Sequence, residues 1–313
     1  MDLPDNARLA SLGGIVPTYL DSSIEYVVGN PSLVQSYNKG NSLITYNNYL
    51  ADIHAGYITY VLNTKKLGII RPFVKYVHYG NFIETDEAGV QLRKFSAGDV
   101  ALGCSYGKPF LTHFRYGVDV NLIYSQLLYN NALGLSTDYY ITYSKNISRW
   151  GTALIVENLG TPLLSYSQKN YEFMPLNVKL SGSFKLSHAP IRVHFMYDNI
   201  NKWDLVAPNA SNTSTDPITG ETKKKTFTID NFSRHLTFGS TFQPSKAFSI
   251  NLAYDVRRGK EASSIYARKL AGFSFGFNIK LKKMAISYSL YGNGSGLNAN
   301  YFTLSFLSLG SKK

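Results

Sequence analysis

Gly272-Phe273-Ser274-Phe275-Gly276-Phe277-Asn278-Ile279-Lys280 decides how this chain is read: every second residue is large and apolar, and those between are small or polar. Successive side chains of a strand point to opposite faces, so the segment has one apolar face and one polar face. Met284-Ala285-Ile286-Ser287-Tyr288-Ser289-Leu290-Tyr291 keeps the same rhythm, as does Phe248-Ser249-Ile250-Asn251-Leu252-Ala253-Tyr254-Asp255-Val256-Arg257. A soluble sandwich also alternates. Strand length and aromatic content separate the two. The segments run to about ten residues or more, which suits tilted membrane-spanning strands of roughly 9–11 residues. The 24 Tyr and 18 Phe among 313 residues suit aromatic girdles at two membrane interfaces. The expected fold is all-β, a transmembrane antiparallel β-barrel.

About fourteen strands are expected, near 42–50, 53–62, 69–79, 95–107, 113–125, 132–144, 149–157, 174–186, 190–199, 232–243, 246–257, 269–280, 283–291 and 300–307. Clean apolar faces include Tyr116, Val118, Val120, Leu122 and Tyr124, and Ile191, Val193, Phe195 and Tyr197; the first three strands alternate less clearly. An even count matches bacterial single-chain barrels and returns both termini to one side. Tight turns at Ser187-His188-Ala189-Pro190, Gln243-Pro244-Ser245-Lys246 and Leu281-Lys282-Lys283 alternate with long links at 80–94, 158–173, 199–231, 258–268 and 292–299. Membrane barrels sort their connections in this way, short turns periplasmic and long loops extracellular, which places the N-terminus in the periplasm. Residues 1–40 do not alternate; Gly13-Gly14, Pro17 and Asn30-Pro31 break them into an irregular, partly helical segment. That segment is expected to form a plug, and 41–313 the barrel. If Phe275 faces lipid and Ser274 the lumen, arginine at Phe275 is expected to harm the protein more than arginine at Ser274.

The net charge is +12, but Lys and Arg do not gather on one helix or stripe, so nucleic acid is not the expected partner. Anionic headgroups at a membrane surface suit the distribution better. Mean hydropathy is −0.14 and no run approaches 18 apolar residues, so no transmembrane helix is expected. Met1-Asp2-Leu3-Pro4 has neither the basic start nor the apolar stretch of a secretory leader, which an outer-membrane chain in this form is expected to have lost. Cys104 is the sole cysteine and falls on an apolar strand face with Val100, Leu102 and Tyr106.

The six histidines (54, 78, 113, 188, 194 and 235) lack ligand spacing, although His194 and His235 are expected to face the lumen. Asp119, Asp138, Asp198 and Asp255 are expected inward, near Lys179, Lys185, Arg192 and Arg257, an arrangement for lumenal ion pairing. Gly292-Asn293-Gly294-Ser295-Gly296 joins two strands and opens no helix, so it reads as a hairpin loop and not as a phosphate cradle. No nucleophile, base and orienter can be assembled, and no metal or cofactor is implied: the chain reads as a non-enzyme. Two basic loops are the candidate partner-facing surface, one with Trp203 and Lys223-Lys224-Lys225, the other with Arg258, Lys260, Arg268 and Lys269.

Two stretches carry a family resemblance. Asn6-Ala7-Arg8-Leu9-Ala10-Ser11-Leu12-Gly13-Gly14, followed by Gly29-Asn30-Pro31-Ser32-Leu33, resembles the N-terminal signature of FadL-like outer-membrane barrels. Asn48-Tyr49-Leu50-Ala51-Asp52-Ile53-His54-Ala55-Gly56-Tyr57-Ile58-Thr59-Tyr60 resembles the PorQ barrels of the Bacteroidota type IX secretion system, which are related to PorV. The resemblance implies a 14-stranded FadL-like barrel without catalysis, in which Ala7, Arg8, Gly13, Gly14, Asn30 and Pro31 shape the plug. It further implies a role in the attachment complex: anchoring a PorZ-like surface protein, alongside PorU- and PorV-like subunits, where cargo is linked to lipopolysaccharide. The alternative is a FadL-like transporter of hydrophobic small molecules. Inward positions that are mostly Ser, Thr, Asn, Gly and charged residues disfavour it modestly.

Overall fold

The computed structural model describes residues 3–49, 52–128, 130–146, 149–166, 173–205, 213–215, 222–224, 229–261, 270–292 and 298–308. Fourteen antiparallel strands form the wall. They are β1 (Ser42–Asn48), β2 (His54–Tyr60, continuing past Val61 as Leu62–Thr64), β3 (Gly68–Thr85), β4 (Gln91–Pro109) and β5 (Phe114–Leu127). β6 (Asn130–Asn146), β7 (Trp150–Leu164), β8 (Asn177–Lys185), β9 (Ile191–Tyr197) and β10 (Leu236–Phe242) follow. β11 (Phe248–Asp255), β12 (Phe273–Lys280), β13 (Met284–Gly292) and β14 (Asn298–Phe306) complete it. Each strand pairs with its neighbours in sequence, and β1 also pairs with β14 from Ser42↔Phe306 to Asn48↔Asn300, which closes the ring.

Burial in this ring is inverted relative to a water-soluble protein. On β11 to β14, Ser249, Asn251, Ser274, Ser287, Ser289 and Thr303 are each 3% exposed or less, whereas Leu252, Phe275, Ile286 and Phe302 are 42–53% exposed. The same outward band runs round the wall through Ile58, Tyr76, Leu102, Leu122, Ile141, Leu154, Leu180 and Phe195. Moving each such side chain from water to hydrocarbon contributes roughly 1.5–3 kcal/mol, so a continuous belt of them requires a bilayer. Cys104 stands exposed on this outer face. Among the described residues no helix is long and apolar enough to cross a membrane, so the strands do the crossing.

Several strand ends depart from the sequence reading. The expected link at 80–94 is mostly strand: β3 runs to Thr85 and β4 starts at Gln91, leaving a turn in which Asp86 Oδ1 accepts the amides of Ala88 and Val90. β7 likewise runs to Leu164, into the expected link at 158–173. Conversely, 232–234 and 256–257 are helical: Arg234 pairs with Asp230 and Arg257 with Glu261 at i,i+4 spacing, and Lys260 reaches across to Asp230. Part of the Gly292–Gly296 hairpin loop lies outside the described residues.

Ser274 also corrects an expectation. Its side chain is not in open lumen but fully buried, accepting a 2.8 Å hydrogen bond from Arg258 Nη2. Arginine at Ser274 is therefore no mild change, and Asn121, which lines open lumenal space, is the proper inward comparison for Phe275.

Candidate functional site: the plugged lumen and the long-loop end

Residues 3–41 lie inside the ring. Helix α1 (Ala7–Ser11) starts at Asn6, whose side chain accepts the Leu9 amide, and α2 (Ile24–Gly29) starts at Ser23, whose side chain accepts the Glu25 amide. The two are tied by Asn6 Nδ2, which donates to the Glu25 carbonyl at 2.9 Å. Gly13 and Gly14 follow α1 at φ +69° and +85°, where a side chain would be strained. They turn the chain so that Leu12, Ile15, Val16 and Tyr19 pack with Tyr140, Ile155 and Met196 of the wall.

Polar tethers run from this segment to the wall on nearly every side. The Ala7 amide donates to Thr303 Oγ1 on β14, Asn251 on β11 donates to Ser11 Oγ, and Asn278 on β12 donates to Glu25 Oε2. Thr18 and the Val16 carbonyl meet Ser183 and Ser181 on β8, Asn30 and Ser32 meet Thr142 on β6, and Arg115 on β5 donates to the Ser32 and Val34 carbonyls. Lys75 on β3 bonds the Leu3 carbonyl and pairs with Asp5 at 2.8 Å. Opposed sides of the ring thus hold one segment, which makes it a plug and not a tail folded over one rim.

The six motif residues all sit in this plug. Ala7 packs on Ala299 and Tyr301, and Arg8, 4% exposed, lies 4.1 Å over the Tyr26 ring. Asn30 is fully buried; its amide donates to the Pro17 carbonyl (2.7 Å) and Thr142 Oγ1 (2.9 Å), and its oxygen accepts from the Ser32 amide and hydroxyl. Replacing it with leucine strands several of these groups, each worth about 1–3 kcal/mol, so Asn30→Leu should loosen the plug by about 2–4 kcal/mol. Limited proteolysis of folded protein in detergent should then cut the N-terminal segment, and should leave it intact in the parent.

Pro31 and Ser32 rest on glycines. Gly107 on β4 and Gly117 on β5 are register partners, and a Cβ on either would stand 2.1 Å from the Pro31 carbonyl oxygen or 2.4 Å from the Ser32 nitrogen. Gly151 on β7 plays the same part for Thr18, at 2.1 Å from its carbonyl oxygen. Nothing in the alternation of their strands sets these glycines apart.

Toward the long-loop end the plug leaves a cavity of about 440 Å³. Its wall carries Asp119, Asp138, Glu157, Asp198 and Asp255, with Lys75, Lys179 and Arg257 among them. The expected lumenal ion pairing is present with different partners. Lys179 pairs with Glu157 at 2.7 Å, Asp119 faces Arg71 at 3.9 Å, and Asp138 accepts from the Asn158 amide and Asn121. Arg192 bonds Ser183 and covers the Tyr19 ring, and Lys185 is exposed at its strand end. Arg71, Lys75 and Glu157 were missed because Arg71-Pro72-Phe73 hides the alternation of β3, and a bulge at 157–158 breaks that of β7.

Above the cavity, α3 (Ile229–Arg234) and α4 (Val256–Glu261) lie side by side. Lys260 Nζ reaches Asp230 Oδ1 at 2.6 Å and Ser233, while Arg234 spans Asp230 and Glu261. The hydrogen bond from Lys260, reinforced by Arg234, holds the Asp230 carboxyl below the usual carboxylate range. A depressed folded value means the link is complete above the ordinary aspartate range and is lost as pH falls through the folded value, below about pH 4. Amide exchange in α3 should therefore accelerate there, and in Asp230→Asn it should be fast at every pH. His235 is sandwiched between the Tyr197 and Trp203 rings, with both nitrogens on backbone carbonyls, and His194 bonds Thr241 beside the plug. Among the described residues no three His, Cys, Asp or Glu side chains gather as a metal site.

Of the expected partner-facing residues, Trp203 stacks on His235, and Lys260 bridges the two helices. Arg258 turns inward, bonding the Gly272 carbonyl and Ser274 and lying 3.6 Å over Tyr291. Lys223 and Lys224 belong to a small hairpin of Thr213–Thr215 with Thr222–Lys224. Their side chains, and Lys225, Arg268 and Lys269 altogether, lie outside the described residues.

A closed 14-strand ring with an apolar belt and an internal N-terminal plug defines a membrane barrel of FadL-like architecture. Solved structures share it. The toluene transporter TodX of Pseudomonas putida is similar at TM-score 0.52 and 11% identity, over 95% of each chain. The CymD monoaromatic hydrocarbon channel is similar at 0.52 and 11%, over 96% of this chain and 95% of that one. A Pseudomonas aeruginosa FadL homologue reaches 0.47 at 10% identity, over 96% and 97%. At these identities the likeness is one of fold. No family model and no curated protein sequence matches the chain.

Proposed function

We propose that this chain is a non-catalytic outer-membrane barrel, closed by its own N-terminal segment, that holds a surface protein at its long-loop end. The observation that carries this reading is the lumen. The plug is bonded to opposed strands, and the space left beside it is ringed by carboxylates and lysines, an unwelcoming route for an apolar molecule. The sorting of short turns and long loops supports a periplasmic N-terminus and an outward long-loop end. The PorQ resemblance supplies the partner class: a PorZ-like surface protein, with PorU- and PorV-like subunits, in the attachment of cargo to lipopolysaccharide.

The fold comparisons support a second reading, and they favour it over the first: a channel for hydrophobic small molecules, as the similar structures are described. Leu9, Val16, Val28, Ile123 and Met196 give the cavity some apolar lining. One pair of measurements separates the two. Gentle detergent extraction of tagged protein from native outer membranes, with mass spectrometry, should yield a stoichiometric surface protein if the barrel is an anchor. Vesicles carrying the purified barrel should then take up labelled toluene no faster than empty ones. A barrel that emerges alone and accelerates uptake would establish the channel instead.

A further inference from the structure

The two ends of the barrel differ in charge. Six short turns join strands at the end opposite the long loops. The stretches that hold them, 60–70, 106–116, 143–152, 183–193, 241–250 and 278–286, contain no aspartate and no glutamate. Each holds an exposed cation instead: Lys66, Lys108, Arg149, Lys185, Lys246 and Lys282, in order round the ring. Arg149 donates to Ser187, and Lys108 lies 6.0 and 5.8 Å over the Tyr106 and Tyr116 rings. None of the six pairs with a carboxylate among the described residues. The acid at this end belongs to the plug: Asp21, in a cleft with Lys246 and Lys280, and Glu25, which is fully buried. The long-loop end mixes its signs, with Arg93 paired to Glu84 and Arg234 to Asp230.

Each of these cations has a large apolar neighbour. Leu67, Phe110, Trp150, Leu186, Phe248 and Leu281 stand within two residues of the six and are 36–63% exposed. Exposed to water, every one of them would be a cost. Set at the margin of the apolar belt, they carry it as far as the turns, where a neighbouring lysine or arginine can keep its stem in apolar surroundings and its charge among headgroups. The cations also occur in every short turn, on all sides of the ring. A protein docking at this end would meet one sector of the rim or cover the lumen. What surrounds the whole perimeter is the bilayer.

We propose that the short-turn rim binds anionic phospholipid headgroups of the phosphatidylglycerol class and gathers them round the barrel. The leaflet concerned is the one that the short turns face, the periplasmic leaflet under the sorting of loops. Ammonium and guanidinium groups donate charge-assisted hydrogen bonds to phosphodiester oxygens. Each cation beside an anionic surface favours attachment by about fivefold, and with no carboxylate in the turns nothing in them offsets that attraction. Arg149 and Lys185 form the best-defined pair: the Lys185 amide donates to the Arg149 carbonyl at 2.6 Å, and Trp150 and Phe184 beside them are register partners. The inference is independent of whether the barrel anchors a protein or conducts a small molecule.

The test uses the whole barrel in vesicles and reads Trp150. The chain has two tryptophans, and Trp203 stands at the long-loop end on His235, so Trp203→Phe leaves one reporter at the short-turn rim. Vesicles of phosphatidylcholine carry, at equal fractions, either phosphatidylglycerol or phosphatidylcholine brominated in its acyl chains. Both leaflets have the same composition, so the direction of insertion does not matter. Brominated phosphatidylglycerol should quench Trp150 more strongly, to an extent equivalent to at least about threefold enrichment at its surface. Arg149→Gln with Lys185→Gln should make the two lipids quench alike, and Arg149→Lys should keep the preference. If the neutralised variant no longer shifts on gels when unheated, salt takes its place on the Trp203→Phe protein. Raising it from about 0.1 M to about 1 M shortens the screening length from about 10 Å to about 3 Å and should reduce the preference. Equal quenching by the two lipids, or a preference that survives both neutralisation and salt, would overturn the proposal. Equal quenching together with an acidic protein that native extraction recovers from the parent, and not from the neutralised variant, would assign the rim to that protein instead.

Discussion

Phe275→Arg is expected to destabilise the folded barrel by about 2–4 kcal/mol, the penalty for arginine on a lipid face near the bilayer midplane. Phe275 lies mid-strand in β12, paired with Leu252 on β11 and Leu290 on β13, and is 42% exposed on the outer face. A guanidinium there would carry its charge into hydrocarbon with no carboxylate on the neighbouring outward positions. Asn121→Arg is the inward control: it points into the cavity, where carboxylates line the wall, and should cost little. Reversible unfolding in phospholipid vesicles, titrated with guanidinium chloride, measures both. Equal or reversed losses would overturn the assignment of the inward and outward faces.

The second large effect concerns the plug. Valine at Gly107 and Gly117 together should displace Pro31 and Ser32, because the new side chains meet backbone atoms at 2.1–2.9 Å and a backbone cannot rotate aside. Overpacking ordinarily costs 1–3 kcal/mol, and the rigid neighbour places this pair at about 3 kcal/mol or more. The outcome is selective, since the strand pairing of β4 and β5 needs neither glycine. The barrel should remain heat-modifiable while the plug becomes accessible to protease, and single-channel recordings should show conductance that the parent lacks. Gly134→Ala is the contrast: the added methyl meets only the flexible end of Met174, so plug and conductance should stay as they are. A conducting parent would refute the closed lumen outright.

How far the sequence reveals this molecule varies with the contrast between faces. From β11 to β14 the alternation is nearly perfect because lipid outside and plug inside demand opposite side chains, and the strands fall where the rhythm puts them. Along 80–94 both faces meet water, so Asn81, Glu84, Arg93 and Lys94 read as a loop although the backbone is strand to Thr85 and again from Gln91. The short helices α3 and α4 were overlooked for a related reason: no apolar stripe marks them, and Asp230, Arg234, Lys260 and Glu261 hold them by charge. Within the plug, Asn30 and Gly13-Gly14 stand out as turn formers. The glycines that seat it, Gly107, Gly117 and Gly151, do not, since a glycine chosen to admit a distant backbone looks like any other in a strand.

Closure of the ring by its first and last strands sets the order of assembly. The seam between β1 and β14 forms only when residue 306 has arrived, yet the plug hangs directly from β1, and the Ala7 amide bonds Thr303 on the closing strand. The plug and the seam therefore share a strand, and the plug bonds the strand that closes the ring, much as a ship's hull is built round its engine. The completed fold therefore depends on contacts between the two ends of the chain, the most distant in sequence that it makes.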